Sequence, residues 1–284
     1  MSVKRRVPVL DCNVRRRRWL ALTLSALPLT AVLVSRSAQV SRADAGEVVS
    51  GYGRGLRFSG YDWLAKTSTV LVGPGPNYFS DGPDNVWIDD QDRMHLRLTR
   101  DATSRWWASE VVLQASLGYG SYTFKLDGPP NELDVYVVFG MFTWNDDPTD
   151  SHRELDIELA RWGIADGPNG RYSVQPYQLP DRMYDFQQPF AGSRSSHRID
   201  WMPGRVRFQS WMGWQPSPPT LDAVIADHVF ESGIPKPGGE QTRMNLWLLR
   251  GLVPHDTTGT EVIVSGFEFD PGPLESGDPT PIPN

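Results

Sequence analysis

An all-β fold in one domain is what this 284-residue sequence predicts, on three observations. First, 26 glycines and 24 prolines punctuate the chain, more than is usual for a soluble protein but below the level of a disordered one. Second, they fall between short runs rich in β-branched and aromatic residues, the spacing of a sandwich or barrel. Third, no segment sustains a 3.6-residue apolar period over twelve positions. The expected strands, in order, are 85–88, 94–99, 109–115, 120–126 and 135–144 in the first half. Then come 153–160, 172–176, 196–201, 206–211, 244–249 and 261–269. Leu221 to Phe230 is expected as one short helix, and no internal repeat is present.

The strand expected at 153–160 carries the chain's main chemical signal. Glu154, Asp156 and Glu158 alternate with Leu155, Ile157 and Leu159. Period-2 alternation projects the three carboxylates from one face and sends the apolar residues to a core. A strand that needed only a wet face would use Thr, Ser, Lys or mixed signs, because like charges repel. Crowded carboxylates push each other's pKa values apart, so one can keep a proton near neutral pH while another stays ionised. Glycoside cleavage requires that division: an acid for the leaving oxygen, and a second carboxylate for the sugar carbon or a water. A solvated acidic face or a cation site is the competing reading of the triplet.

The first 45 residues read as a signal peptide. Lys4, Arg5, Arg6 and Arg15 to Arg18 precede an apolar run from Trp19 to Val34, and Ala43-Asp44-Ala45 forms an A-x-A cleavage pattern. The run is short for a bilayer span and contains Pro28. Arg16-Arg17-Arg18-Trp19-Leu20 also fits a twin-arginine signal, which leaves the export route open. The expected location is secreted, periplasmic or cell envelope. Nine of the 28 basic and two of the 34 acidic residues lie in this segment, so the remainder carries about −13. Such a charge argues against nucleic acid and anionic membrane as partners, and leaves a neutral polysaccharide unopposed. Cys12, the only cysteine, lies in the signal, so neither disulfides nor thiol chemistry is expected beyond it. Residues 46–270 suffice for one domain, expected to be monomeric. Residues 271–284, with prolines at 271, 273, 279, 281 and 283, are expected to be a disordered tail.

Several separated stretches resemble glycoside hydrolase family 16, the laminarinase and lichenase group. Glu154-x-Asp156-x-Glu158 resembles the family's catalytic strand. Ser104 to Leu126 (SRWWASEVVLQASLGYGSYTFKL) resembles its paired strands, an exposed acidic one leading through Tyr-Gly into an aromatic-basic one. His197 to Gly213 (HRIDWMPGRVRFQSWMG) resembles a strand, turn and strand. Met244-Asn245-Leu246-Trp247 resembles a late asparagine-apolar strand. The resemblance runs in matching order from Phe58 to Phe269. It implies a concanavalin A-like jelly roll, two antiparallel sheets with a glycan cleft on the concave one. It also implies Glu154 as nucleophile, Glu158 as general acid then base, and Asp156 as the residue tuning both. Positions i and i+4 of a flat strand lie about 13 Å apart at Cα, whereas a retaining pair needs carboxyls about 5–5.5 Å apart, so the side chains must lean together.

Sugar rings stack on aromatic faces, and Trp144 and Trp162 bracket the acidic strand. Gln175, Tyr177, Asn245 and Trp247 complete the candidate substrate-binding set. For each of them core packing or surface solvation is the alternative. The departures from the family are local. Val137 to Trp144 stands where a Trp-Pro-rich stretch is usual, and Val174-Gln175-Pro176 replaces a histidine strand. The place of a calcium-binding aspartate falls at Ser265 or Gly266, and the five histidines lack metal-ligand spacing, so neither metal nor cofactor is expected. His152 falls on the face of Glu154 by alternation, open between a modulating role and a solvated one. The resulting expectation is a secreted retaining endo-β-glycosidase acting on a β-glucan-like polysaccharide. A transglycosylase of the same fold and a non-catalytic, lectin-like sandwich are the alternatives.

Overall fold

The computed structural model describes residues 50–128, 133–187 and 194–272. The expected signal peptide, and the tail beyond residue 272, lie outside them. The strands in chain order begin with β1 (Ser50–Phe58), β2 (Tyr61–Val72), β3 (Asn77–Phe79), β4 (Val86–Ile88), β5 (Met94–Arg97) and β6 (Thr99–Arg100). Next come β7 (Trp106–Leu113), β8 (Gly120–Asp127), β9 (Val137–Trp144), β10 (Leu155–Ala160), β11 (Gly170–Val174) and β12 (Met183–Phe186). The last are β13 (Arg194–Met202), β14 (Arg205–Met212), β15 (Val224–Phe230), β16 (Gln241–Leu248) and β17 (Glu261–Asp270).

They form two sheets. The ten-stranded one runs β1-β2-β3-β7-β16-β9-β10-β11-β12, with β6 beside β7; the seven-stranded one runs β15-β14-β13-β8-β17-β5-β4. Among the described residues every pairing is antiparallel except β3 with β7. This is the two-sheet jelly-roll sandwich that the sequence predicts. Alternation builds the core directly: Leu155, Ile157 and Leu159 of β10, and Tyr122, Phe124 and Leu126 of β8, are all buried. Trp63 and Trp201 are fully buried within it, the usual destination of a large ring.

Three expectations are revised. Leu221–Phe230 is not a helix: a three-residue 3-10 turn, Leu221–Ala223, leads into β15. That segment pairs with β14 from Val206 to Trp211, and a sheet edge satisfies its backbone better than an isolated short helix would. The paired strands β1 and β2 are absent from the sequence reading; Gly51, Gly53 and Gly55 give β1 poor strand propensity, and pairing with β2 supplies what propensity withholds. The acidic strand β7 is not exposed, since its Glu110 is 1% accessible.

Candidate active site

The carboxylates of β10 stand on the face of the ten-stranded sheet opposite the core, because their apolar neighbours fill that core. Glu154 is one residue ahead of the strand, in extended conformation (φ −87°, ψ 123°). Four consecutive non-glycine residues before it, Asp150, Ser151, His152 and Arg153, adopt left-handed backbone, with φ of 51°, 52°, 62° and 53°. Such conformations cost about 1 kcal/mol or more per residue, so surrounding bonds must hold them. Arg153 N–H donates to Asp150 O at 3.0 Å, and Asn145 N–H to His152 O at 2.7 Å. His152 Nδ1 returns a bond to Asn145 O at 2.7 Å.

Thr143 fixes the carboxylate's backbone from both sides. Its hydroxyl donates to Arg153 O at 2.7 Å and accepts from Leu155 N–H at 3.1 Å. The peptide groups flanking Glu154 are therefore clamped by one buried side chain. The turn also carries His152 onto Trp144, ring parallel to ring.

Strand register aligns a row of side chains across the sheet. Arg171, Glu158, Gly140, Asn245 and Glu110 occupy matched positions on β11, β10, β9, β16 and β7. Lys66 of β2 extends the row, its Nζ 3.1 Å from Glu110 Oε2. Gly140 is the gap in that row: a Cβ there would lie 2.6 Å from Asn245 Oδ1. Asn245 Nδ2 donates to Glu110 Oε2 at 3.3 Å. On the neighbouring row, Arg243 reaches Glu110 at 3.6 Å and Asp146 at 3.1 Å, with the rings of Tyr52 and Trp144 flanking its guanidinium.

A cavity of about 530 Å³ opens over these rows, a volume within the range of small-molecule sites. Its lining brings together six of the expected residues: Glu154, Asp156, Glu158, Trp144, Asn245 and Trp247. Gln175 touches the site from behind, donating Nε2 to Asp156 Oδ2 at 3.0 Å. Trp162 and Tyr177 are not among the lining residues; Trp162 packs under the Arg171 guanidinium, and Tyr177 is exposed. Tyr52, Lys66, Glu110, Phe142, Asp146 and Arg243 also line the cavity and are absent from the sequence expectation. Alternation with Asn245 and Trp247 is the signal that points to Arg243.

Burial pushes all three carboxyls of β10 up. Glu154 rises furthest, from burial first and then the charges of Asp156 and Glu158. Burial and the Asp156 charge push Glu158 up to about 8. Asp156 rises to about 6, burial being opposed by hydrogen bonds from Gln175, Ser173 and Glu154. Burial thus favours the protonated forms, the direction that general-acid chemistry requires. Among the described residues no group of three or more His, Cys, Asp and Glu could hold a metal ion.

No family model matches the chain, and no curated protein sequence matches it. Solved structures do. A β-glucanase of Bacillus licheniformis superposes with a TM-score of 0.56 at 18% identity, covering 80% of this chain and 99% of that one. A glycoside hydrolase family protein from Mycobacterium thermorestibile gives 0.53 at 14% identity, over 73% and 92% of the two chains. An immunostimulatory antigen and pseudo β-1,3-glucanase of Mycobacterium tuberculosis gives 0.50 at 18%, over 72% and 88%. The chain has the jelly-roll fold of β-glucanases.

Proposed function

We propose that this protein is a retaining β-glycosidase of the family 16 type, acting on a β-glucan-like polysaccharide outside the cytoplasm. The observation that carries the reading is the placement of Glu154, Asp156 and Glu158 together in one aromatic-walled cavity. Glu154 attacks the anomeric carbon while Glu158 gives its proton to the leaving oxygen. Glu158 then takes a proton from the water that releases the sugar from Glu154. Asp156 holds Glu154 by a hydrogen bond and tunes both. Trp144 and Trp247 supply ring faces, and Asn245 and Glu110 are positioned to meet sugar hydroxyls. The signal-like residues 1–45 support a mature start near Gly46, which N-terminal sequencing of exported protein would test.

Release of reducing ends from a panel of polysaccharides, by wild type beside Glu154→Gln, tests the activity. Proton NMR of the first product, read before mutarotation, tests the mechanism. Retention yields the β-anomer; an initial α-anomer means single displacement and removes the nucleophile role from Glu154. One feature favours a second, binding-only reading: burial and the charges of Asp156 and Glu158 push the Glu154 carboxyl toward its neutral form. Polysaccharide binding without turnover would establish it.

A further inference from the structure

Asp156 accepts hydrogen bonds from several sides in the cavity. Its Oδ2 receives Ser173 Oγ at 2.9 Å and Gln175 Nε2 at 3.0 Å, and the carboxyl is bonded to Glu154 as well. Ser173 stands opposite Asp156 on β11 and is buried. Gln175 lies just beyond the end of that strand, and its backbone N–H donates to Glu154 O at 3.2 Å. The orientation of its amide is not arbitrary. Tyr177 N–H donates to Gln175 Oε1 at 3.1 Å, so the NH₂ end must face Asp156.

An amide NH₂ can only donate. Two carboxyls joined by one proton can place it on either partner, and the partner already receiving more hydrogen bonds is better stabilised as the anion. We propose that Gln175 is a positioning residue for a proton: its bond to Asp156, with that of Ser173, holds Asp156 as the anion and parks the shared proton on Glu154. The resting site is then latched, because a carboxylic acid is a poor nucleophile for the anomeric carbon. Release requires the proton to move from Glu154 to Asp156, which leaves a Glu154 carboxylate beside an Asp156 hydroxyl. The larger rise at Glu154 than at Asp156 agrees with this partition.

The other groups facing the pair do not reverse it. Glu158 on the same strand disfavours a second negative charge, on Glu154 as well as on Asp156. Arg243 from β16 favours the Glu154 anion but is already engaged by Glu110 and Asp146. Arg171 from β11 acts on Glu158. β9 presents Phe142 and Gly140, neither charged.

The test reads the proton before it reads turnover. In protein labelled with ¹³C at glutamate carboxyls, with Glu154→Gln assigning the signal, Glu154 should resonate as a neutral acid near neutral pH. Gln175→Met keeps the bulk and removes the donor, so the signal should move toward the carboxylate position. Ser173→Ala, which removes the other donor, should move it in the same direction, and serves if Gln175→Met fails to fold. The kinetic consequence rests on the glycosidase reading: kcat of Gln175→Met should rise by up to about tenfold, the scale of one charge-assisted bond. A merely structural glutamine would lower kcat. A Glu154 signal that is ionised in wild type, or unmoved in both variants, overturns the inference. Signals that move as expected in a protein without turnover uphold the inference and remove the glycosidase reading.

Discussion

Trp144 and His152 stack with ring centroids 3.9 Å apart and planes 8° from parallel. One ring lines the cavity; the other belongs to the left-handed turn that delivers Glu154. The contact therefore joins the aromatic wall to the backbone of a proposed catalytic group. His152→Ala should raise KM severalfold with a smaller change in kcat, because the wall loosens while Thr143 still clamps Glu154. An aromatic pair contributes about 0.5–1.5 kcal/mol, so thermal unfolding should shift only slightly. His152→Phe keeps the stack and should recover most of KM. Equal losses in both variants would assign the effect to the Nδ1 bond.

Glu154→Ala and Glu158→Ala should each reduce hydrolysis by on the order of 10³-fold or more, since the pair acts as a unit. Azide should partly restore Glu154→Ala by replacing the nucleophile. Neither variant should unfold at lower temperature than wild type near neutral pH, as each relieves crowding among buried carboxyls. Near-wild-type rates in both would remove them from the chemistry.

The pH dependence of stability has a defined sign. An unfolded carboxyl titrates near pH 4, whereas Glu158 in the fold is pushed up to about 8 and Asp156 to about 6. The folded state thus binds more protons across that interval, and its stability falls as pH rises from about 4 to about 8. Glu158→Gln removes one titrating group and should flatten the decline. Denaturant midpoints measured across that range, for wild type and variant, decide it. Parallel curves would mean that Glu158 titrates normally.

His197 contributes the opposite slope. It is fully buried between Ser195 and Ser210, with Tyr172 donating to the same Ser210 at 2.6 Å. Burial lowers its pKa to about 3. An unfolded histidine protonates near pH 6.5, so stability is lost as pH falls below that value toward 3. His197→Asn should lower stability near neutral pH yet lose less on acidification, which urea titrations at several pH values would reveal.

Gly140→Ala places a methyl against Asn245 Oδ1. Overpacking of this kind costs about 1–3 kcal/mol, and it should also displace Asn245 and raise KM. Calorimetry with steady-state kinetics checks both effects; a variant with native KM would show that the gap admits no part of the substrate.

The acidic strand is legible in the sequence because its signal is local: a period of two over five residues places three carboxylates on one face. Trp144, Asn245 and Trp247 are legible through neighbouring motifs. Glu110 and Lys66 are not, because they meet across 44 positions of sequence, and Glu110 reaches Asn245 across 135. Strand pairing, which no local pattern records, makes those contacts. The left-handed turn at 150–153 is hidden for a different reason. It contains no glycine, and its backbone is held by Asn145 and Thr143 rather than by its own preferences. Gln175 reads from sequence as a substrate contact, since its tie to Asp156 depends on the register of β11 with β10.

The order of strands within the larger sheet differs from their order of synthesis, and β16 carries the consequence. It lies between β7 and β9, yet it is the last strand of that sheet to leave the ribosome. Until Leu248 has emerged, β7 and β9 face an open seam with unpaired backbone, the kind of edge that recruits other chains. A product truncated before Gln241 would keep all three carboxylates of β10 and still lack Arg243, Asn245 and Trp247. Closure of that seam joins residues far apart in sequence, which makes it a slow event. Until its C-terminal strands arrive the chain has an incomplete cavity beside an open sheet edge, and the strand that completes the one also seals the other.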